Sequence, residues 1–206
     1  YCVLFLVSSC ETKMATLQSV GISEDSLAIA TQKLHKHVDD GHLPGTFVRI
    51  IKEGKVVFND LYGLVDIAKN KPVEEQSLFR IFSMTKPITT VAAMMLYERG
   101  CFQLDHPVAR YIPAFGETSV WRGGDLDDVE PQVTQMTVRQ LMTHTSGLTY
   151  GFMHQNVVDA AYRQRGLDQN KQTLLADWVD QLADVPLLAQ PGSQWNYSVA
   201  TDVLGR

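Results

Sequence analysis

The sequence predicts an α+β fold, and three observations carry that prediction. An amphipathic stretch after Ser23 has helical period. Two β-branched and aromatic runs follow, joined by two turn residues. The rest reads as helix and loop. Ser23 is placed to cap a helix that runs to about Asp40, with Leu27, Ala30, Leu34 and Val38 on one stripe and Gly41 ending it. Thr46 to Lys52 and Lys55 to Tyr62 read as strands of a hairpin turning at Glu53-Gly54. A loop containing Lys71-Pro72 leads to an extended approach, Leu78 to Phe82. Pro87 fits only the first turn of a helix, so the next helix begins near Ser83 and stops at Gly100. Further helices are predicted over Val138 to Thr143, capped by Thr137, over Asn156 to Gln164, over Thr173 to Asp184, and just after Tyr197.

Composition sets limits on function. The chain has 206 residues, 45% of them hydrophobic, and a formal net charge of −5. The size suits one sizeable domain. No basic patch or aromatic–arginine pattern points to nucleic acid. The acidic run Asp125 to Glu130 reads as a solvated loop. Three cysteines, Cys2, Cys10 and Cys101, make no disulfide framework, and Cys101 is expected as a small packed residue. His35 and His37 stand two apart on a helix and share no face. No metal-ligand spacing occurs, so no metal or cofactor is expected.

Residues 1–13 (YCVLFLVSSCETK) differ in character from the rest. Their apolar run is too short to span a bilayer. They read as upstream read-through with Met14 as the start, or as the remnant of a signal segment with Val7 to Cys10 a loose lipoprotein site. A cytoplasmic location follows from the first reading, a periplasmic or lipid-anchored one from the second.

The feature richest in chemistry is Ser83-Met84-Thr85-Lys86. Residues three apart at a helix start lie on one face. This spacing sets a hydroxyl beside an amine, next to unpaired backbone N–H groups able to hold an oxyanion. A serine hydroxyl needs a base to become nucleophilic. A lysine acting as that base would need its pKa lowered by roughly 3 units from ~10.4.

The run from Leu78 to Gly100 resembles the serine β-lactamase and penicillin-binding-protein superfamily, whose signature is S-x-x-K. Within it the chain looks most like the branch of class C β-lactamases and β-lactamase-like (family VIII) carboxylesterases. Leu104 to Pro113, Thr137 to Leu148, and Pro191-Gly192 followed by Trp195-Asn196-Tyr197-Ser198 agree with three further family stretches, in the family's order. The resemblance implies a two-lobed fold with an antiparallel sheet, helices flanking it, and a helical lobe. It implies that residues 14–206 form the N-terminal part of one such domain, with the rest of the sheet, a third motif and a second oxyanion donor lying beyond Arg206. The isolated 206 residues are accordingly expected to be inactive. It implies Ser83 as nucleophile, Lys86 as proton acceptor, and Tyr197 as general base or proton relay. Where β-lactamases of this branch carry Tyr-x-Asn, this chain has Tyr197-Ser198-Val199, which lacks the amide that holds an acylamino group.

The expected activity is cleavage of short-chain carboxylic esters through an acyl-enzyme. β-Lactam or D-amino-acid amide hydrolysis, acyl transfer, and a non-enzyme role as an acylated sensor or binding module without turnover or as an inactive homologue stand as alternatives. The expected partner is a small ester or amide. Tyr150 and Trp195 are candidates to line an acyl pocket, and Ser198 to contact substrate. His144 and Ser146 are assigned to turn structure rather than chemistry.

Overall fold

A computed structural model describes residue 17 and residues 21–168 and 174–206. The leader at residues 1–13 lies outside the described residues, as does Thr173 at the predicted start of a helix. The chain forms two compact units, residues 1–81 and 82–206.

In the first unit, α1 (Glu24–Asp39) begins where the Ser23 hydroxyl accepts a hydrogen bond from the Ser26 N–H. Leu27, Leu34 and Val38 of the predicted stripe are half-buried, while Ala30 is exposed. Strands β1 (Gly45–Lys52) and β2 (Lys55–Asp66) pair antiparallel, and Glu53 and Gly54 turn between them with φ of 52° and 74°. Two consecutive positive φ angles are the signature of the primed turn that matches strand twist. Lys71-Pro72, expected as loop, forms a short edge strand β3 beside Leu64 and Asp66. Proline is tolerated there because an edge residue can do without its N–H. His35 meets both carboxylate oxygens of Asp60 at 2.9 and 3.1 Å and stacks on Tyr62 with ring centroids 3.8 Å apart.

The second unit holds α2 (Thr85–Glu98), the hairpin β4 (Ser119–Trp121) and β5 (Val129–Pro131), and helices α3 (Val138–Met142), α4 (Val157–Gln164), α5 (Leu175–Ala183) and α6 (Ala200–Leu204). Its core gathers Phe115, Met136, Leu148, Tyr162, Leu182 and Val203, all essentially inaccessible to solvent. The acidic run is exposed loop from Asp125 to Asp128, with Leu126 half-buried, and its end continues into a strand. Its last residues, Val129 and Glu130, pair with Trp121 and Val120, and Asp128 lies 3.5 Å from Arg122. The Trp121 indole N–H closes the hairpin on the carbonyls of Gly124 and Asp125. Thr137 and Gln140 build a reciprocal capping box at α3. Asp105, on the segment after α2, makes a bidentate pair with Arg139 of that helix at 2.8 and 3.1 Å. Cys101 is exposed rather than packed; Gly100 ends α2 in a left-handed turn (φ 75°) that returns the Cys101 N–H to the Leu96 carbonyl at 3.0 Å. Among the described residues no helix is long and apolar enough to cross a membrane.

Candidate active site

The polypeptide enters the site through a constrained backbone. Residues 78–81 form no strand, and Phe82–Met84 make a single 3-10 turn before α2. The α-helix proper therefore starts at Thr85, two residues later than the sequence predicts, with Pro87 still inside its first turn. Phe82 has φ 43°, a left-handed conformation that is costly for a bulky residue. The strain sits immediately before Ser83, whose hydroxyl is thereby presented on an exposed turn. Lys86 follows one turn later and is half-buried.

Tyr197 arrives from the other end of the unit. Its phenol donates a 2.7 Å hydrogen bond to Ser83 Oγ, across 114 residues of sequence. The Lys86 ammonium lies 4.8 Å from the centre of the Tyr197 ring and 5.5 Å from that of Tyr150. The three residues expected to carry the chemistry thus converge, and Tyr150 joins them.

The segment that carries Tyr197 is clamped onto the turn after α3. His144 sits at φ 56°, and its carbonyl accepts the Asn196 N–H at 2.8 Å. His144 Nδ1 accepts the Ser198 N–H at 3.3 Å and lies the same distance from Ser198 Oγ. The Asn196 amide donates to the Leu148 carbonyl at 2.9 Å. Gly147 has φ 85°, and a Cβ there would fall 2.2 Å from the Ala189 carbonyl, so only glycine fits this crossing. His144 is therefore a positioning residue for the phenol, its ring centroid 4.9 Å from that of Tyr197. Burial, aided by the Lys86 charge, pushes its pKa below the usual histidine value, which keeps the imidazole neutral and its Nδ1 free to accept.

Ser198 does not line the site. It is completely buried and engaged with His144 and the Ala200 N–H. Neighbouring residues on this turn point oppositely, and the backbone that aims Tyr197 outward aims Ser198 into the core. Val199 is buried beside it. Tyr150 and Trp195 do stand at the site: Tyr150 is 5.4 Å from Tyr197 by ring centroids, and Trp195 is 6.5 Å from it.

Tyr150 is held from behind by a polar scaffold of which the sequence gives no sign. The wholly buried Asp159 accepts from the Thr149 hydroxyl at 2.8 Å and the Gln155 N–H at 2.9 Å. Asp168 accepts the Gly151 N–H at 2.9 Å, and the Arg163 guanidinium donates to the Gly151 carbonyl. Hydrogen bonds to charged groups of this kind contribute about 1.5–3 kcal/mol each. A Cβ on Gly151 would fall 2.0 Å from the Asp168 carboxylate, which fixes glycine beside the tyrosine.

Desolvation and the two phenols act on Lys86 in opposite directions. Burial disfavours the Lys86 ammonium, but hydrogen bonding and charge interaction with the Tyr150 and Tyr197 phenols outweigh it, and the lysine pKa is raised. Tyr197 moves the other way: hydrogen bonds from Ser83 and then Lys86 stabilise its phenolate and lower its pKa. Tyr150, more deeply buried, is pushed up. The Tyr197 phenol is thus shifted toward its charged form by Ser83 first and Lys86 second.

These features agree with what the whole chain resembles. Residues 30–206 match the Beta-lactamase family model. The chain belongs to the beta-lactamase family. It is 36% identical over 169 residues to Protein Rv1367c of Mycobacterium tuberculosis, covering 81% of this chain and 41% of that protein. To Esterase EstB of Burkholderia gladioli it is 34% identical over 196 residues, 93% of this chain and 47% of the relative. Among solved structures, EstCE1, described as a hydrolase with promiscuous acyltransferase activity, superposes with TM-score 0.72 at 32% identity, covering 88% of this chain and 46% of that one. The chain spans less than half the length of the curated relatives named here. The α+β class and the serine β-lactamase superfamily assignment both stand.

Proposed function

We propose that this family member is a serine hydrolase that cleaves short-chain carboxylic esters through an acyl-enzyme on Ser83. The observation that carries the reading is the 2.7 Å contact between Tyr197 and Ser83, with the Lys86 amine 4.8 Å from the Tyr197 ring centre. The phenolate of Tyr197 takes the Ser83 proton as Oγ attacks the ester carbonyl carbon. The carbonyl oxygen becomes an oxyanion facing the Ser83 N–H. As the C–O bond breaks, the same phenol returns its proton to the leaving alkoxide. Water then attacks the acyl carbon as Tyr197 takes its proton, and the phenol returns that proton to Ser83 Oγ as the acyl C–O bond breaks and the acid product leaves. Lys86 orients the phenol and favours its charged form throughout.

Ester rather than β-lactam selectivity is supported by the residues after the tyrosine. Ser198 and Val199 are both buried, so neither offers a polar group to an acylamino side chain. Acyl transfer is the second reading, supported by the likeness to EstCE1; the same acyl-enzyme would be captured by an alcohol in place of water. In protein from the whole reading frame, Ser83→Ala is expected to abolish p-nitrophenyl ester turnover. Turnover undiminished by that change rejects the reading.

A further inference from the structure

Four aromatic rings are linked pairwise at the site, Phe152 to Tyr150, Tyr150 to Tyr197 and Tyr197 to Trp195, with centroid separations of 4.6, 5.4 and 6.5 Å. The first and last pairs are stacked, with interplanar angles of 22° and 26°. The two inner rings share the Lys86 ammonium. The two outer rings are open to solvent, Phe152 at 56% and Trp195 at 66% exposure. Neither outer ring hangs on a loose tether. Phe152 follows Gly151, which Asp168 and Arg163 hold from both sides, and Trp195 precedes Asn196, which is bonded to His144 and Leu148. His144 also meets the Trp195 ring edge-on at 6.2 Å. Rigid aromatic surface loses little conformational freedom when a ligand lands on it.

We propose that these linked rings form a docking surface for the alcohol half of the ester, and that they select flat aromatic alcohols over aliphatic ones. The proposal rests on the ester-hydrolase reading and extends it to the substrate class. Its geometric basis is the place of the proton donor. The leaving oxygen must come within hydrogen-bond reach of the Tyr197 phenol to be protonated, so the carbon bonded to that oxygen starts out close to the Tyr197 hydroxyl. The ring neighbours of Tyr197 are Tyr150 and Trp195, with Phe152 stacked on Tyr150. The carbonyl oxygen is drawn instead toward the Ser83 N–H. The expected acyl pocket at Tyr150 and Trp195 is thus reassigned to the alcohol.

The test compares benzyl acetate with butyl acetate, whose alcohols are of similar acidity, by kcat/KM in protein from the whole reading frame. The wild type is expected to favour benzyl. Phe152→Ala and Trp195→Ala are each expected to lower the benzyl-to-butyl ratio by roughly three- to tenfold. Phe152→Tyr and Trp195→Phe keep a ring and are expected to restore most of it. The acyl-side ratio, methyl benzoate over methyl butyrate, is expected to stay within about twofold in all four variants. A wild type with no benzyl preference, an alcohol ratio unmoved by the alanine variants, or a loss confined to the acyl-side ratio overturns the proposal. Failure of the underlying reading looks different: both acetates would then be turned over undiminished by Ser83→Ala.

Discussion

Tyr197→Phe is expected to lower kcat for ester hydrolysis by about 10²–10⁴-fold while changing KM little. The substitution removes one oxygen and keeps the ring, so the linked rings and the packing against His144 persist. What disappears is the group hydrogen-bonded to Ser83 Oγ at 2.7 Å. That group acts twice in the proposed cycle, as base toward the serine and as acid toward the leaving alkoxide. No other side chain described here is placed to replace it. The two phenols raise the Lys86 pKa against its burial, and His144 already spends its Nδ1 on the Ser198 N–H. Steady-state kinetics on a p-nitrophenyl ester decide the matter. A kcat within about threefold of wild type would remove the phenol from the mechanism.

Lys86→Met is expected to lower kcat/KM by roughly 10³-fold and to shift the pH profile of the residual activity. The direction follows from which form is active. The phenolate is the working base, so the rate rises as pH climbs through the Tyr197 pKa. Hydrogen bonds from Ser83 and Lys86 hold that pKa below the usual tyrosine value, which places the acidic limb of the wild type at lower pH than a free phenol would give. Removing the ammonium removes one of those stabilising influences. The acidic limb of Lys86→Met should therefore move to higher pH. If lysine itself were the base, the wild-type limb would report lysine deprotonation, and the methionine variant would have no comparable limb to move. The two limbs belong to a coupled group of lysine and two tyrosines, so each midpoint describes the cluster rather than one residue.

Much of this arrangement is legible in the letters because it is local. The Glu53-Gly54 turn, the Thr137 cap, the helix marked by Pro87, and the Ser83–Lys86 spacing each depend on a few adjacent residues. Tyr197 is legible only through motif order, since its contact with Ser83 spans the unit. The parts that escape the sequence are set by tertiary neighbours. Lys71-Pro72 becomes a strand because β2 offers an edge. Part of the acidic run becomes a strand because Ser119 to Trp121 lie opposite. Ser198, beside a reactive tyrosine in sequence, faces the core because the turn alternates sides. The charge state of Lys86 depends on two phenols at different positions in the chain, and spacing cannot report that balance of desolvation against hydrogen bonding. Asp159 and Asp168 read as ordinary surface carboxylates until their contacts with Thr149 and Gly151 are seen. Phe82 carries its strain in a backbone angle that no side-chain pattern encodes.

The central claim is that Ser83 becomes covalently acylated. Protein from the whole reading frame, mixed with p-nitrophenyl acetate and acid-quenched during turnover, should show by intact-mass spectrometry the gain of one acetyl group. Peptide mapping should place that group on Ser83, Ser83→Ala should lack it, and it should decay as the substrate is exhausted. Ester hydrolysis proceeding with no adduct on Ser83, or with the acetyl group on another residue, would contradict the account.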